Sequence, residues 1–195
     1  MTDPLDRYRR AAAGFAAALA EMRPAQLRAP TPCTEWDVRR LVNHMTRGNL
    51  NYALLARGGS SSEFLALRDR DAVGGEPLSA YGKSVRECAG SFRLPGVLDR
   101  VLDYPLGKVT GRQALAVRTA DSVIHTWDLA RALGGSGTLD PGLVSWILEE
   151  SPAIYAGLDV SSFFEAPLPD ASENDQDRLV RRFGRTPGWR TPVGG

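Results

Sequence analysis

The feature that most constrains the fold of this chain is a proline-free stretch from residue 111 to residue 133. Thr110 and Gln113 stand at its start with the spacing of a capping box. Gly134 and Gly135 follow it, and glycine is the residue that most often closes a helix. A helix of this length is stable in a globular protein when its apolar side chains pack against neighbouring elements. The stretch therefore predicts one long helix within a helical core.

Other segments carry similar start and stop signals. The further long helices are predicted over residues 3–22, about 36–56 and 77–92. Thr34, with Asp37 three residues later, is predicted to cap the second of these. Short helices are predicted at 61–69, at 141–156 and just before Gly184, and a short hairpin or turn within 97–109. Because long amphipathic helices bury their apolar stripes best against one another, the sequence predicts an all-α fold: an antiparallel four-helix bundle in a single domain, 1–195.

Charge and cysteine content exclude several classes of protein. The chain has 24 Lys+Arg against 23 Asp+Glu, a formal net charge of +1. Without a strong positive field, we expect neither general nucleic-acid binding nor attraction to an anionic membrane. No apolar run approaches the roughly 18 residues that a membrane span needs. Cys33 and Cys88 form no disulfide framework and match no zinc-binding spacing, which indicates a reducing, cytoplasmic location.

The residues that could carry chemistry lie on two of the predicted long helices. The sequence has two histidines, His44 and His125, and Asp121, His125 and Asp128 are spaced i, i+4 and i+7. That spacing places the last three side chains on one helix face. A carboxylate and an imidazole four residues apart can bind one divalent ion, and an imidazole from a facing helix can supply a third ligand. The spacing favours a metal site of His44, Asp121 and His125, with hydrogen-bonded core histidines and a solvated Asp121 as the alternative.

Other candidate residues have more than one interpretation. Asp128 could accept a histidine N–H, act as a catalytic acid or base, or lie on the surface. Cys33 stands just before Thr34, where a helix N-terminus would lower its pKa, but free cysteine is more often a small buried side chain. Four arginines near the C-terminus have helical spacing and are predicted to form a solvated face, with an anion-binding rim as the alternative. They are Arg178, Arg181, Arg182 and Arg185.

Three short motifs occur in order along nearly the whole chain. They are TPCTEW at 31–36 leading to LVNH at 41–44, VIHTWDLAR at 123–131, and DRL at 177–179 leading to FGR at 183–185 with Pro187 and Trp189. Together they resemble the actinobacterial members of the DinB and mycothiol-dependent maleylpyruvate isomerase-like superfamily. The resemblance implies a DinB-like four-helix bundle that binds one divalent ion, zinc or nickel, through His44, Asp121 and His125. It also implies a catalytic role for Asp128.

The resemblance extends to activity. It implies a cytoplasmic metal-dependent enzyme, a transferase or isomerase, in which the ion activates mycothiol or a similar low-molecular-weight thiol to attack a small electrophilic substrate. The isomerases also use an arginine from an added C-terminal domain; because this chain ends at Gly195, no arginine is assigned. Two alternatives stay open: a hydrolase that uses metal-bound water, and a non-catalytic protein that binds a metal or another ligand. A homodimer is compatible with each of them.

Overall fold

The computed structural model describes residues 3–159, 166–170 and 174–192 of the chain. Its helices are α1 (Pro4–Ala20), α2 (Val38–Ala56), α3 (Ser61–Leu67), α4 (Pro77–Phe92), α5 (Gly111–Ala132), α6 (Pro141–Ile154) and α7 (Asp175–Arg182), with a 3-10 helix at Pro24–Arg28. The long helices α1, α2, α4 and α5 pack as a four-helix bundle in which α1 and α2 each contact both α4 and α5. The predicted mainly helical fold is confirmed.

A small hairpin supplements the bundle at the position where the sequence favoured one. Strand β1 (Val101–Tyr104) pairs antiparallel with β2 (Gly107–Thr110). Leu102, Tyr104 and Val109 are buried, and the hairpin packs against α5. The turn needs a glycine, because Gly107 has a φ of +137°, which is unfavourable for residues that carry a Cβ.

Side-chain caps set where the two helices that bear the site begin. The hydroxyl of Thr110 accepts a hydrogen bond from the Gln113 backbone N–H at 3.1 Å, as predicted for α5. The predicted cap of α2 at Thr34 is wrong: Asp37 is the N-cap and accepts from the Arg40 backbone N–H at 2.8 Å. The reason is a turn closed by the Trp36 N–H and the Cys33 carbonyl, which delays the start of the helix.

Helix α5 is the central element of the fold. It is flanked by α1, α2, α6 and the hairpin, and buried residues occur on all of its sides. On the side of α1, Gly14 faces the Thr126 side chain, and a Cβ at this position would make an ordinary contact with it at 3.7 Å. Polar residues on α5 are therefore removed from water and must find partners inside the protein. Within the described ranges, no helix has both the length and the apolar character that crossing a membrane requires.

Candidate metal centre

Helices α2 and α5 bring the three predicted ligands together. The Nε2 atom of His44 lies 3.3 Å from Asp121 Oδ2, and the Nε2 atom of His125 lies 3.2 Å from Asp121 Oδ1. The two imidazole rings have centroids 4.9 Å apart. One ligand atom from each of the three residues lies within 4.8 Å of the others. Two distant parts of the chain thus meet at a common point.

This geometry suits a divalent ion. Two ligand atoms bound to one tetrahedral ion at about 2.0–2.2 Å lie roughly 3.4 Å apart. The separations of 3.2 and 3.3 Å between the histidine nitrogens and the Asp121 oxygens are close to that value. Two imidazoles and one carboxylate form a donor set that zinc and nickel accept, and three protein ligands leave a position for a further ligand. The residues present therefore fit the implied metal, although the ligand assignment stays a prediction.

The pKa values of the three side chains are shifted in different directions by their surroundings. Burial disfavours a charged Asp121, but His125 and His44 hold the pKa of this carboxyl well below its usual value. Burial lowers the pKa of His44, an effect that outweighs the opposing influence of Asp121. For His125, burial is outweighed by Asp121, which with Asp128 raises the pKa well above its usual value. The lowered pKa of Asp121 favours the carboxylate anion that a metal binds, and the raised pKa of His125 means that protons compete with a metal for its imidazole.

A buried arginine that the sequence did not single out supports the carboxylate ligand. Arg118 is 1% exposed, and its Nη1 atom donates to Asp121 Oδ2 at 2.5 Å. Its other nitrogens donate to Asn49 Oδ1 at 2.8 Å and to the Met45 carbonyl at 2.6 Å. Gly48 provides the space, because a Cβ there would lie 2.6 Å from Arg118 Nη1. The i, i+3 spacing of Arg118 and Asp121 was the available signal, but it is also common on solvated helix surfaces.

Asp128 lies behind His125, on the side away from Asp121. It is fully buried, and its Oδ2 atom lies 2.9 Å from His125 Nδ1. A carboxylate that accepts the Nδ1 proton of a histidine fixes the ring and leaves Nε2 as the atom that can bind a metal. Of the three interpretations of Asp128, the surface location is wrong. The catalytic role stays a prediction, and the contact with His125 gives Asp128 a way to act through that ring.

The prediction of one solvated arginine face is wrong for Arg185. Arg178 and Arg182 remain partly or largely exposed on α7. Arg185 is 5% exposed and donates to Asp128 from Nε at 3.2 Å and from Nη2 at 2.9 Å. Helical spacing does not extend to this residue, because α7 ends at Arg182 and the chain turns at Gly184, whose φ is +79°. Burial of Asp128 disfavours its charge, but Arg185 and His125 keep the pKa of this carboxyl lowered.

Cys33 belongs to the same buried group. Its thiol donates to Asp128 Oδ2 at 3.2 Å and accepts from Arg185 Nη2 at 2.9 Å. Burial, followed by the nearby Asp128 carboxylate, raises the pKa of this thiol, so the structural interpretation is favoured over a reactive nucleophile. Cys33, His125 and Asp128 also lie close enough to bind a metal together. Arg185 already supplies the positive charge at that position.

A comparison of the sequence with models of known protein families shows to which family the chain belongs. The model of the mycothiol maleylpyruvate isomerase N-terminal domain matches residues 8–130. The chain belongs to this family. The match includes His44, Asp121, His125 and Asp128, whereas Arg185 lies beyond it.

Sequence similarity to two relatives spans nearly the whole chain. Two proteins of Mycobacterium tuberculosis, Rv0738 of strain ATCC 25618 / H37Rv and MT0763 of strain CDC 1551 / Oshkosh, are each 34% identical over 188 residues. The alignments cover 94% of this chain and 98% of each relative, and both relatives are described as uncharacterised. A crystal structure of the mycothiol-dependent maleylpyruvate isomerase matches with a TM-score of 0.59 at 14% identity, covering 75% of this chain and 67% of that one. This confirms the DinB-like fold.

A cavity of about 480 Å³ lies beside the three candidate metal ligands, His44, Asp121 and His125. Trp36 lines the end of the cavity next to the candidate ligands. Its ring centroid lies 4.7 Å from that of His44 and 5.7 Å from that of His125. The exposed Arg40 and Arg68 also line the cavity, so it reaches the surface. A small molecule can thus approach the open side of the three ligands.

Proposed function

We propose that this chain is a divalent-metal-dependent, mycothiol-using enzyme, a transferase or an isomerase, that acts on a small electrophilic substrate. The observation that carries the proposal is a group of three ligand atoms within 4.8 Å of one another at the wall of a 480 Å³ cavity. Membership of the mycothiol maleylpyruvate isomerase family supports the choice of thiol.

His44, Asp121 and His125 would hold the ion, with zinc or nickel as the metals that suit this donor set. When bound, the ion supplies the positive charge that lowers the pKa of a thiol, so that the thiol is a nucleophile near neutral pH. The protein's own contribution is to orient these ligands. Arg118 holds Asp121, and the Trp36 ring packs against both imidazoles.

Asp128 is proposed to assist catalysis through His125. It holds the proton at Nδ1, which keeps Nε2 directed at Asp121 and at the ion. Arg185 keeps Asp128 ionised and in place by two hydrogen bonds. Loss of Asp128 should therefore weaken both metal binding and turnover, in contrast to a residue that only transfers a proton to substrate.

The setting of the enzyme is part of the proposal. We infer a cytoplasmic location, where low-molecular-weight thiols are reduced and where the free Cys33 and Cys88 are stable. A single DinB-like domain over 1–195 remains our prediction for the chain, and homodimer formation is a prediction that sedimentation analysis can test.

Metal content gives the first test. The wild-type protein should bind about one equivalent of zinc or nickel, measured by elemental analysis after purification. His44→Ala and His125→Ala should each lose the metal and keep the helical circular dichroism signal. Asp99→Ala is the control, because that side chain is 81% exposed and pairs with Arg112 on the surface. Metal retained at full occupancy in both histidine variants would refute the ligand assignment.

Turnover gives the second test. The metal-loaded protein is incubated with isotopically labelled electrophiles, with and without mycothiol, and the products are identified by mass spectrometry. A thiol adduct or an isomerised product that requires mycothiol supports the proposal. Hydrolysis without thiol would replace it with the metal-bound water mechanism, and the absence of any product across the panel would favour a non-catalytic binding protein.

A further inference from the structure

The cavity has a second part, beyond the candidate metal ligands, whose residues have no role in the proposed reaction. Its wall is apolar or aromatic, and we call it the apolar wall. It consists of Tyr52, Phe64, Tyr104, Leu106, Val117 and Leu158. These residues come from α2, α3, the hairpin, α5 and the segment after α6, so the surface is assembled from distant parts of the chain.

The apolar wall begins close to the ligands and extends away from them. Val117 precedes Asp121 by four residues on α5, and Tyr52 follows His44 by eight residues on α2. At 1.5 Å of rise per residue, these offsets correspond to about 6 and 12 Å along the helices. A ligand whose reacting carbon lies at the metal site would therefore place a neighbouring group of roughly the size of a phenyl ring against the wall.

The two tyrosine hydroxyls of the apolar wall are engaged with each other. The Tyr52 hydroxyl donates to the Tyr104 hydroxyl at 3.0 Å, and burial raises the pKa of both, so neither becomes an anion near neutral pH. Their rings, together with the ring of Phe64, form a cluster with centroids 5.6 to 5.9 Å apart. These rings offer a ligand aromatic contact, and none of the six residues of the apolar wall carries a charge.

The two buried arginines near the cavity, Arg118 and Arg185, already make hydrogen bonds within the protein. All three nitrogens of Arg118 donate to Asp121, Asn49 or Met45, as described above. Arg185 donates to Asp128, to Cys33 and to the Phe183 carbonyl. A carboxylate against the apolar wall would lose its hydration without gaining a guanidinium partner there, which is strongly unfavourable. Arg47 also lines the cavity, but it donates to the carbonyls of Arg70 and Asp71 at 3.2 and 3.1 Å. The exposed Arg40 and Arg68 lie where the cavity reaches the surface, so they could meet a ligand charge only at its mouth.

We propose that the electrophilic substrate carries an uncharged aromatic or branched aliphatic group, bound at the apolar wall, and is not a small dicarboxylate. This inference rests on the proposed function, because it assumes that the electrophile meets the thiol at the metal ligands. It defines the substrate class: an apolar electrophile, such as an aryl-substituted unsaturated ketone, with any negative charge directed to the mouth of the cavity.

Calorimetry with two probes tests the substrate class. Benzalacetone is an uncharged aryl enone, and fumarate is a small dicarboxylate. Benzalacetone should bind the zinc-loaded protein and, with the same affinity, the metal-free protein, and its binding should show the negative heat-capacity change of apolar burial. On the metal-free protein it should bind at least about tenfold more tightly than fumarate. Equal or tighter fumarate binding to the metal-free protein would overturn the inference.

A pair of leucine variants locates the binding site. Leu106→Ala should weaken benzalacetone binding about tenfold, since the removed side chain lines the cavity. Leu65→Ala should leave it unchanged, because that leucine is 49% exposed on α3 and does not line the cavity. An equal effect of both variants would overturn the inference. If Leu106→Ala fails to fold, Val117→Ala takes its place, and the two-probe comparison on the wild type does not depend on either variant.

The outcomes separate this inference from the proposed function. Thiol-dependent turnover of fumarate but not of benzalacetone would overturn the substrate class and leave the metal-and-thiol mechanism in place. Tight, Leu106-dependent binding of benzalacetone without any thiol-dependent product would leave the apolar subsite in place and refute the proposed reaction.

Discussion

Replacing Gly48 with alanine should destabilise the protein, although the same change in a helix interior usually stabilises it. An alanine Cβ at position 48 would lie 2.6 Å from Arg118 Nη1 and 3.0 Å from its Cζ. The matched control is Gly82→Ala on α4, where the nearest atom would be Arg86 Nη1 at an ordinary 3.5 Å. Both glycines lie inside long helices and are partly buried.

The magnitude follows from the hydrogen bonds that Arg118 would have to give up. Removing a helical glycine gains up to about 1 kcal/mol, and this gain applies to both positions. At position 48, the guanidinium must move by several tenths of an ångström, which strains its bonds to Asn49, Asp121 and the Met45 carbonyl. Hydrogen bonds to charged groups contribute about 1.5–3 kcal/mol each. Loss of one outweighs the gain, so we expect a net loss of about 0.5–2 kcal/mol.

Urea denaturation followed by circular dichroism measures this difference. Gly82→Ala should raise the midpoint, and Gly48→Ala should lower it at an unchanged slope, since the surface exposed on unfolding is the same. Because Arg118 also holds Asp121, Gly48→Ala should in addition weaken zinc binding, while Gly82→Ala should not. Equal stabilisation by the two substitutions would contradict the rigid placement of Arg118 beside the candidate ligands.

Three further predictions concern buried groups. Asp128→Asn should lower metal affinity about 10- to 100-fold, measured by competition with a chelator, because His125 loses its carboxylate partner; Asp99→Asn should have no effect. Arg185→Gln leaves the Asp128 charge without a guanidinium and should cost about 3–5 kcal/mol in urea denaturation, whereas Arg178→Gln on the exposed face should stay within about 0.5 kcal/mol. Burial raises the pKa of Cys88 from 9.0 to about 11, so its stabilisation is complete below pH 9 and is lost as the pH rises to 11. Between pH 9 and pH 11 the wild type should lose about 2 kcal/mol more stability than Cys88→Ala, and parallel pH profiles would contradict the shift.

Much of the fold could be predicted because its signals are local. The proline at the start of α4 and the Thr110 cap of α5 are both recognisable from a few neighbouring residues. The start of α2 was misplaced because Thr34 and Asp37 both match a cap. Only the turn that joins the Trp36 N–H to the Cys33 carbonyl decides between them.

The grouping of the three candidate ligands was predictable for a different reason. Asp121 and His125 lie one turn apart on one helix, so local spacing places them together, and His44 was one of only two histidines in the chain. Arg185 had no such signal, because it reaches Asp128 across 57 positions of sequence through a turn after α7. Arg118 was local to Asp121, but its burial depends on the space that Gly48 leaves on another helix. Contacts of this kind arise from tertiary packing, which helical periodicity does not encode.

The charges around the candidate ligands bear on what a metal held there would bind at its open position. Asp121 is paired with Arg118, and Asp128 is paired with Arg185, all four of them at most 13% exposed. With both imidazoles neutral as ligands, these charges sum to zero. A divalent ion would therefore add two positive charges that the four residues do not neutralise. In a buried site this imbalance favours an anionic further ligand, and a thiol that becomes a thiolate supplies one. Arg118→Met should relax the imbalance by removing one cation, so that it raises the pH at which a metal-bound thiol ionises; a titration midpoint that does not move would contradict the charge argument.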